Sequence, residues 1–208
     1  MALEVDSDRK EPQLGGMVSV RSSLLAILTM GPAYGFQLHG ELATRTAGRR
    51  PVNVGQIYST LERLVGQGAV EPAGSTPDGL PLYSLTALGR TEAQAWLRAT
   101  DSDAGAEWND MVDRVLIASS LPHVDLSPVL AGYRTAWLLR LDRAGEDGLP
   151  SGETGQERLG RAAQDLQSRA ALAWLDIVAD TGADTGVHLH RGLSQLRPKR
   201  GRRPAAPA

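Results

Sequence analysis

The tightest constraint on this chain lies in residues 53–85, where a short capped helix runs into two β-like segments. Asn53 carries a side-chain oxygen suited to opening a helix, and Ile57, Leu61, Leu64 and Val65 follow at spacings of four, three and one. Gly66 and Gly68 end the pattern. Ala69-Val70-Glu71-Pro72 and Leu82-Tyr83-Ser84-Leu85 then flank Ala73-Gly74-Ser75-Thr76-Pro77-Asp78-Gly79-Leu80-Pro81, whose turn formers predict the tip of a hairpin.

Two helical patterns precede this unit. Val18, Val20, Leu24, Leu25, Ile27 and Leu28 recur with helical period until Gly31-Pro32 stops them. After the turn at Gly31-Pro32-Ala33-Tyr34-Gly35, a second short amphipathic segment carries Phe36, Leu38, Leu42 and Ala43 and ends near Ala47-Gly48. Three helices followed by a hairpin predict a winged helix-turn-helix. Beyond the hairpin, Thr86 caps a further helix bearing Leu88, Ala95, Trp96 and Leu97, before the sequence turns polar at Thr100-Asp101-Ser102-Asp103.

The second half offers three more helical patterns. Trp108, Met111, Val112, Val115, Leu116 and Ser119 form one, ending at Leu121-Pro122. Ser127-Pro128 opens another, with Val129, Leu130, Tyr133, Trp137 and Leu141 on it, and a loop over 145–155 follows. In the last, Leu159, Ala163, Leu166, Ala170, Ala173 and Ile177 alternate at four and three residues, a seam that calls for a second helix. The expected fold is mainly α with a small β-hairpin. A winged helix-turn-helix DNA-binding domain occupies 17–99 and a helical dimerisation region with room for an effector occupies 106–180. Residues 1–16 and the basic residues 181–208 are expected to be flexible.

Composition narrows the function. With 41% hydrophobic residues there is material for a core, and only 4% aromatics favour helices packed through aliphatic faces. The absence of cysteine excludes disulfides, thiol catalysis, zinc fingers and iron–sulfur clusters. No nucleotide loop of the GxxxxGK[ST] type, no GxSxG elbow and no HExxH occurs, so neither an enzyme nor a cofactor is expected. No metal site is expected either, because His188, His190 and Asp184 would need a ligand from elsewhere. The acidic, polar opening and the lack of a long apolar run predict a cytoplasmic protein with no membrane partner.

The net charge is -2, and Met17 to Arg90 holds six basic residues against four acidic ones, so any nucleic-acid contact must be a local patch. The third helix supplies one. With its apolar residues turned inward it presents Gln56, Ser59, Thr60 and Arg63 outward, with Tyr58 on a flank. Gln and Arg can pair with adenine and guanine edges, while hydroxyls reach phosphates or bases. Asn53 and Gly55 at the helix start allow a phosphate to approach free backbone N–H groups.

Several runs in this region are similar to the PadR family of winged-helix regulators. They are Leu24-Leu25-Ala26-Ile27-Leu28 with Gly31-Pro32-Ala33-Tyr34-Gly35-Phe36-Gln37-Leu38, then Val54-Gly55-Gln56-Ile57-Tyr58-Ser59-Thr60-Leu61-Glu62-Arg63-Leu64 with Gly68, then Leu82-Tyr83-Ser84-Leu85-Thr86-Ala87-Leu88-Gly89-Arg90. The resemblance covers roughly a third of the chain. It implies a homodimer on a palindromic double-stranded DNA operator, acting as a repressor released by a small aromatic effector or another signal. It also implies Tyr34 and Tyr58 near the DNA backbone and Gln56 and Ser59 toward the bases. Arg49 and Arg50, in the turn before the recognition helix, are the preferred phosphate contacts. The wing departs from the family by lacking Lys and Arg. Trp96 and Trp108 bracket the acidic linker and are the candidates for effector contact, while Trp137 joins the 159–177 seam as a candidate for dimerisation. A protein-interaction adaptor that keeps the fold without DNA binding is the competing reading.

Overall fold

A computed structural model describes residues 15–49, 51–98, 108–146, 154–183 and 188–195. Its elements run α1 (Gly15–Leu28), β1 (Ala33–Tyr34), α2 (Gly35–Arg45), α3 (Val54–Gly66), β2 (Val70–Ser75), β3 (Pro81–Leu85), α4 (Ala87–Arg98), α5 (Trp108–Ser120), α6 (Ser127–Glu146) and α7 (Gly155–Ala183). The expected mainly α fold with a β-hairpin is what forms.

Local chemistry sets the boundaries. Gly31 takes φ +135°, which ends the turn after α1 where a side chain would be strained. Between α2 and α3 the chain reverses through Ala47 and Gly48, both at positive φ. The Asn53 side chain accepts the Gln56 N–H at 2.8 Å, closing the first turn of α3. Thr86 accepts the Gly89 N–H and donates to the Gly68 carbonyl, so one hydroxyl both starts α4 and ties it to the exit of α3. Thr154 and Glu157 cap α7 reciprocally, and those hydrogen bonds hold the Glu157 carboxyl below its ordinary range.

The sheet holds three strands in the order β1-β3-β2, all antiparallel. β1 was not foreseen: Ala33 and Tyr34, expected in a turn, pair with Tyr83 and Leu82. That pairing stitches the wing to the start of α2. The wing is also longer than expected, with an irregularity between Pro72 and Ser75.

Two cores result. The first buries Leu24, Ile27, Leu38, Leu42, Ile57, Leu61 and Leu64 beneath the sheet residues Val70 and Leu85. The second gathers Met111, Val112, Val115, Val129, Tyr133, Trp137, Ala171 and Leu175 from α5, α6 and α7. α5 joins them, because its later residues Ile117 and Ala118 belong to the first core.

Several boundaries move. Gly15 and Gly16, expected in a flexible segment, begin α1, and Thr181–Ala183, expected in the flexible end, complete α7. Residues 188–195, also expected to be flexible, lie docked against α2 and α5: Leu193 packs on the first core and the Arg191 N–H donates to the Ser120 carbonyl. Periodicity could not reveal this, since a segment held by its backbone leaves no apolar pattern. Residues 1–14, most of the 145–155 loop and 196–208 lie outside the described residues. No helix among the described residues is long and apolar enough to cross a membrane.

Candidate nucleic-acid interface

α3 separates its faces cleanly. Ile57, Leu61 and Leu64 are fully buried, while Ser59, Glu62 and Arg63 are exposed and Gln56 is half-buried. The inward residues are held by α1 and α2, so packing fixes the direction of the polar face. Along that face Ser59 donates to the Gln56 carbonyl at 3.1 Å, and Arg63 folds back to donate to the Ser59 carbonyl and to Thr60 Oγ1, each at 3.3 Å. These are exposed or partly exposed bonds within one helix, which a better acceptor can replace at small cost.

Not every predicted contact faces outward. Thr60 is 3% exposed and donates to the Gln56 carbonyl, so it belongs to the inner flank of α3. Four residues after Gln56, Thr60 is carried by the helical advance back toward α1 and α2. Tyr34 is 6% exposed within β1, where strand pairing with Leu82 turns its side chain into the domain. Tyr58 is half-buried, and a Cβ on Gly35 would sit 2.6 Å from its ring. Gly35 is therefore needed for the close approach of α2 and α3, and Tyr58 serves that contact. Gly55 is exposed in the first turn, with space for a Cβ limited to 3.2 Å by the capping Asn53 oxygen. Asn53 is exposed, although its side-chain oxygen is engaged in the cap.

The turn before α3 is braced. Arg49 donates to Asn109 Oδ1 at 3.0 Å and lies 3.7 Å from buried Asp113, so one preferred phosphate contact is engaged with α5. Arg50 lies outside the described residues. His39, given no role from sequence, sits 2.8 Å from the Val52 carbonyl. A carbonyl only accepts, so Nε2 carries the proton and α2 holds the residue before the Asn53 cap. No sequence signal marks a solitary histidine for that task.

In the second half, Trp137 is 1% exposed and its indole N–H points at Met111 Sδ, 2.9 Å away. It fills the chain's own core and cannot present its ring to a partner subunit. The remaining seam residues Leu159, Ala163, Leu166, Ala170, Ala173 and Ile177 are all exposed, because α7 packs on α6 through Ser168, Ala171 and Leu175 instead. Trp96 and Trp108 are not brought together. Trp96 stacks under the Arg114 guanidinium and Trp108 meets Trp174 edge-on at 5.8 Å. A cavity of about 510 Å³ lies elsewhere, between α1, α4 and the start of α6, with Thr29, Gln94, Leu97, Arg98, His123 and Val129 on its walls. His188 and His190 are exposed, and among the described residues no group of three or more His, Asp or Glu side chains gathers as a metal would need.

Three helices, a three-stranded sheet with a hairpin wing, and a polar recognition face on the third helix define a winged helix-turn-helix protein. Residues 24–95 match the family model described as the transcriptional regulator PadR-like family. Over this segment, about a third of the chain, the protein is similar to the PadR-like family of transcriptional regulators. Solved structures similar to it include Bacillus subtilis PadR in complex with operator DNA, at 18% identity over 82% of this chain and 99% of that one, with a TM-score of 0.39. Bacillus subtilis PadR in complex with p-coumaric acid is 15% identical, covering 80% and 99% of the two chains with a TM-score of 0.37. The protein smu.1604c from Streptococcus mutans UA159 is 18% identical, covering 77% and 98% with a TM-score of 0.35. No curated protein matches the chain.

Proposed function

We propose that this protein is a homodimeric, sequence-specific DNA-binding repressor in the cytoplasm, with no catalytic role, that places α3 in the major groove of a palindromic operator. The carrying observation is the polar face of α3. Exposed Ser59 and Arg63 and half-buried Gln56 lie on a helix whose opposite face, Ile57, Leu61 and Leu64, is fully buried in the head. Gln56 and Ser59 read bases, Arg63 reads guanine or grips phosphate, and the first turn around Asn53 and Gly55 receives a phosphate. Arg50 takes the phosphate role, with Arg49 joining only if its contact with Asn109 opens. Tyr58 approaches the backbone from the flank, while Tyr34 and Thr60 support the helix from behind.

The exposed apolar residues of α7, Leu159 (73%), Leu166 (69%) and Ile177 (60%), support a second copy packing there. The cavity beside Arg98 and His123 suits a small aromatic effector better than the surroundings of Trp96 and Trp108, because Trp96 is already covered by Arg114 and Trp108 already meets Trp174 edge-on. A ligand there would sit between the head and the helical half, where it can shift one against the other.

The test is binding of purified protein to genomic fragments at rising salt. A repressor of this kind selects defined fragments with two half-sites about one helical turn apart, and its affinity falls with a log–log slope of about 0.9 per neutralised phosphate. Gln56→Ala should relax base preference while Arg50→Ala weakens all sequences alike. A protein that ignores DNA at low salt and captures a defined protein partner is the adaptor instead. The wing gives that outcome its interest, since residues 75–81 carry no Lys or Arg.

A further inference from the structure

The segment after α7 is held in an unusual way. Gln37 and Glu41 stand one turn apart on α2, and together they bond both main-chain groups of Ser194. The Gln37 amide donates to the Ser194 carbonyl at 2.6 Å, and a Glu41 carboxylate oxygen accepts the Ser194 N–H. Two side chains thus act as a neighbouring strand would. One turn further, Arg45 donates to the carbonyls of Arg191 and Gly192 at 3.1 and 3.3 Å. The end of α5 completes the set, as the Ser120 carbonyl accepts the Arg191 N–H.

We propose that residues 188–195 form a main-chain latch: α2 and the end of α5 make a site that recognises extended peptide backbone, and the chain's own segment after α7 occupies it, tying α7 to the helix-turn-helix head. This goes beyond the function proposed above and does not require DNA binding. Recognition runs through backbone, because the side chains of His188, His190, Arg191 and Gln195 are exposed and only Leu193 packs on the core.

Docking of the latch and placement of α2 are coupled through Arg45. Its side chain is 0% exposed, and its donors are divided among Glu41, Ser120 and the two latch carbonyls. A buried guanidinium edge left without acceptors is costly, so losing the latch forces Arg45 toward water and loosens α2. α2 in turn packs on α3 and holds the turn before it through His39. Docking of the latch therefore reaches the recognition helix through α2. The linking residues 184–187 lie outside the described residues.

The test uses the full-length chain with Ser194→Pro, which removes the N–H that Glu41 accepts and leaves every head residue intact. Hydrogen exchange should quicken on the order of tenfold in residues 35–45 and 117–121 while residues 168–175 keep their protection. Trypsin cleavage after Arg191 should accelerate by a similar factor. Should Ser194→Pro fail to fold, Gln37→Ala, at a half-buried surface position, carries the same expectation for cleavage after Arg191. Unchanged exchange and unchanged cleavage in a folded variant overturn the latch. Quickening spread equally over 168–175 also overturns it, since that marks general destabilisation. Neither readout involves DNA, so failure of the latch and failure of the repressor reading are distinguishable.

Discussion

At the scale of single residues, glycines show how context sets the sign of one substitution. Gly89 lies in the first turn of α4, and a Cβ there would be 1.9 Å from the Ala69 carbonyl oxygen and 2.8 Å from its carbon. Backbone cannot yield as a flexible side chain can. Gly89→Ala should therefore cost roughly 2 kcal/mol or more despite the gain in helix propensity. Gly40 is exposed in the middle of α2 with open space around its position, and Gly40→Ala should stabilise by up to about 1 kcal/mol. Urea midpoints of the two variants check both: a stabilised Gly89→Ala would contradict the close packing of α4 on Ala69, and a destabilised Gly40→Ala the open space at Gly40. The Glu41–Arg45 pair makes a parallel point. Burial lowers the Arg45 pKa from its ordinary value while the adjacent carboxylate opposes that shift. Four residues apart on a helix, the two look in sequence like an exposed surface pair, and only the packing of α5 and the latch makes them interior.

Among the elements, α3 and α7 give up different amounts of information. For α3, Asn53, the apolar spacing and the closing glycines predict start, end and buried face, because its cap and its periodicity are local. Thr60 was misplaced, since a single boundary position on a helix is decided by what packs beside it. For α7 the apolar alternation is real, yet it marks the side that faces away from α6. The side that packs is Ser168, Ala171 and Leu175, a narrower and less apolar strip. A helix with apolar residues on both flanks needs cover on each, and among the described residues α6 and α5 cover only the flank of Ser168, Ala171 and Leu175. If two copies pair through α7 as proposed, Leu166→Glu should convert dimers to monomers in sedimentation velocity with little loss of helicity, because the side chain is already in water within the single chain. A variant that stays dimeric would move the interface to α6, where Leu138 and Leu139 are also exposed.

For the molecule as a whole, α5 is the element that makes one body of two cores, giving Met111, Val112 and Val115 to one and Ile117 and Ala118 to the other. Unfolding should therefore be a single cooperative transition. Tryptophan fluorescence, which draws on Trp96 against the first core and on Trp108, Trp137 and Trp174 around the second, should follow the same denaturant curve as helicity. Separated midpoints would mean that α5 does not couple the halves. At this scale the amino-acid order determined the sequence of helices, the wing and the capping of α3, since each rests on contacts between near neighbours in the chain. The tertiary structure alone decided that Tyr34 and Trp137 are interior, that Arg49 leans on α5, that Trp96 and Trp108 pack against different partners, and that residues 188–195 seal α2. Each of those depends on residues far apart in the chain meeting across a packed surface, and periodicity carries no record of which surface that will be.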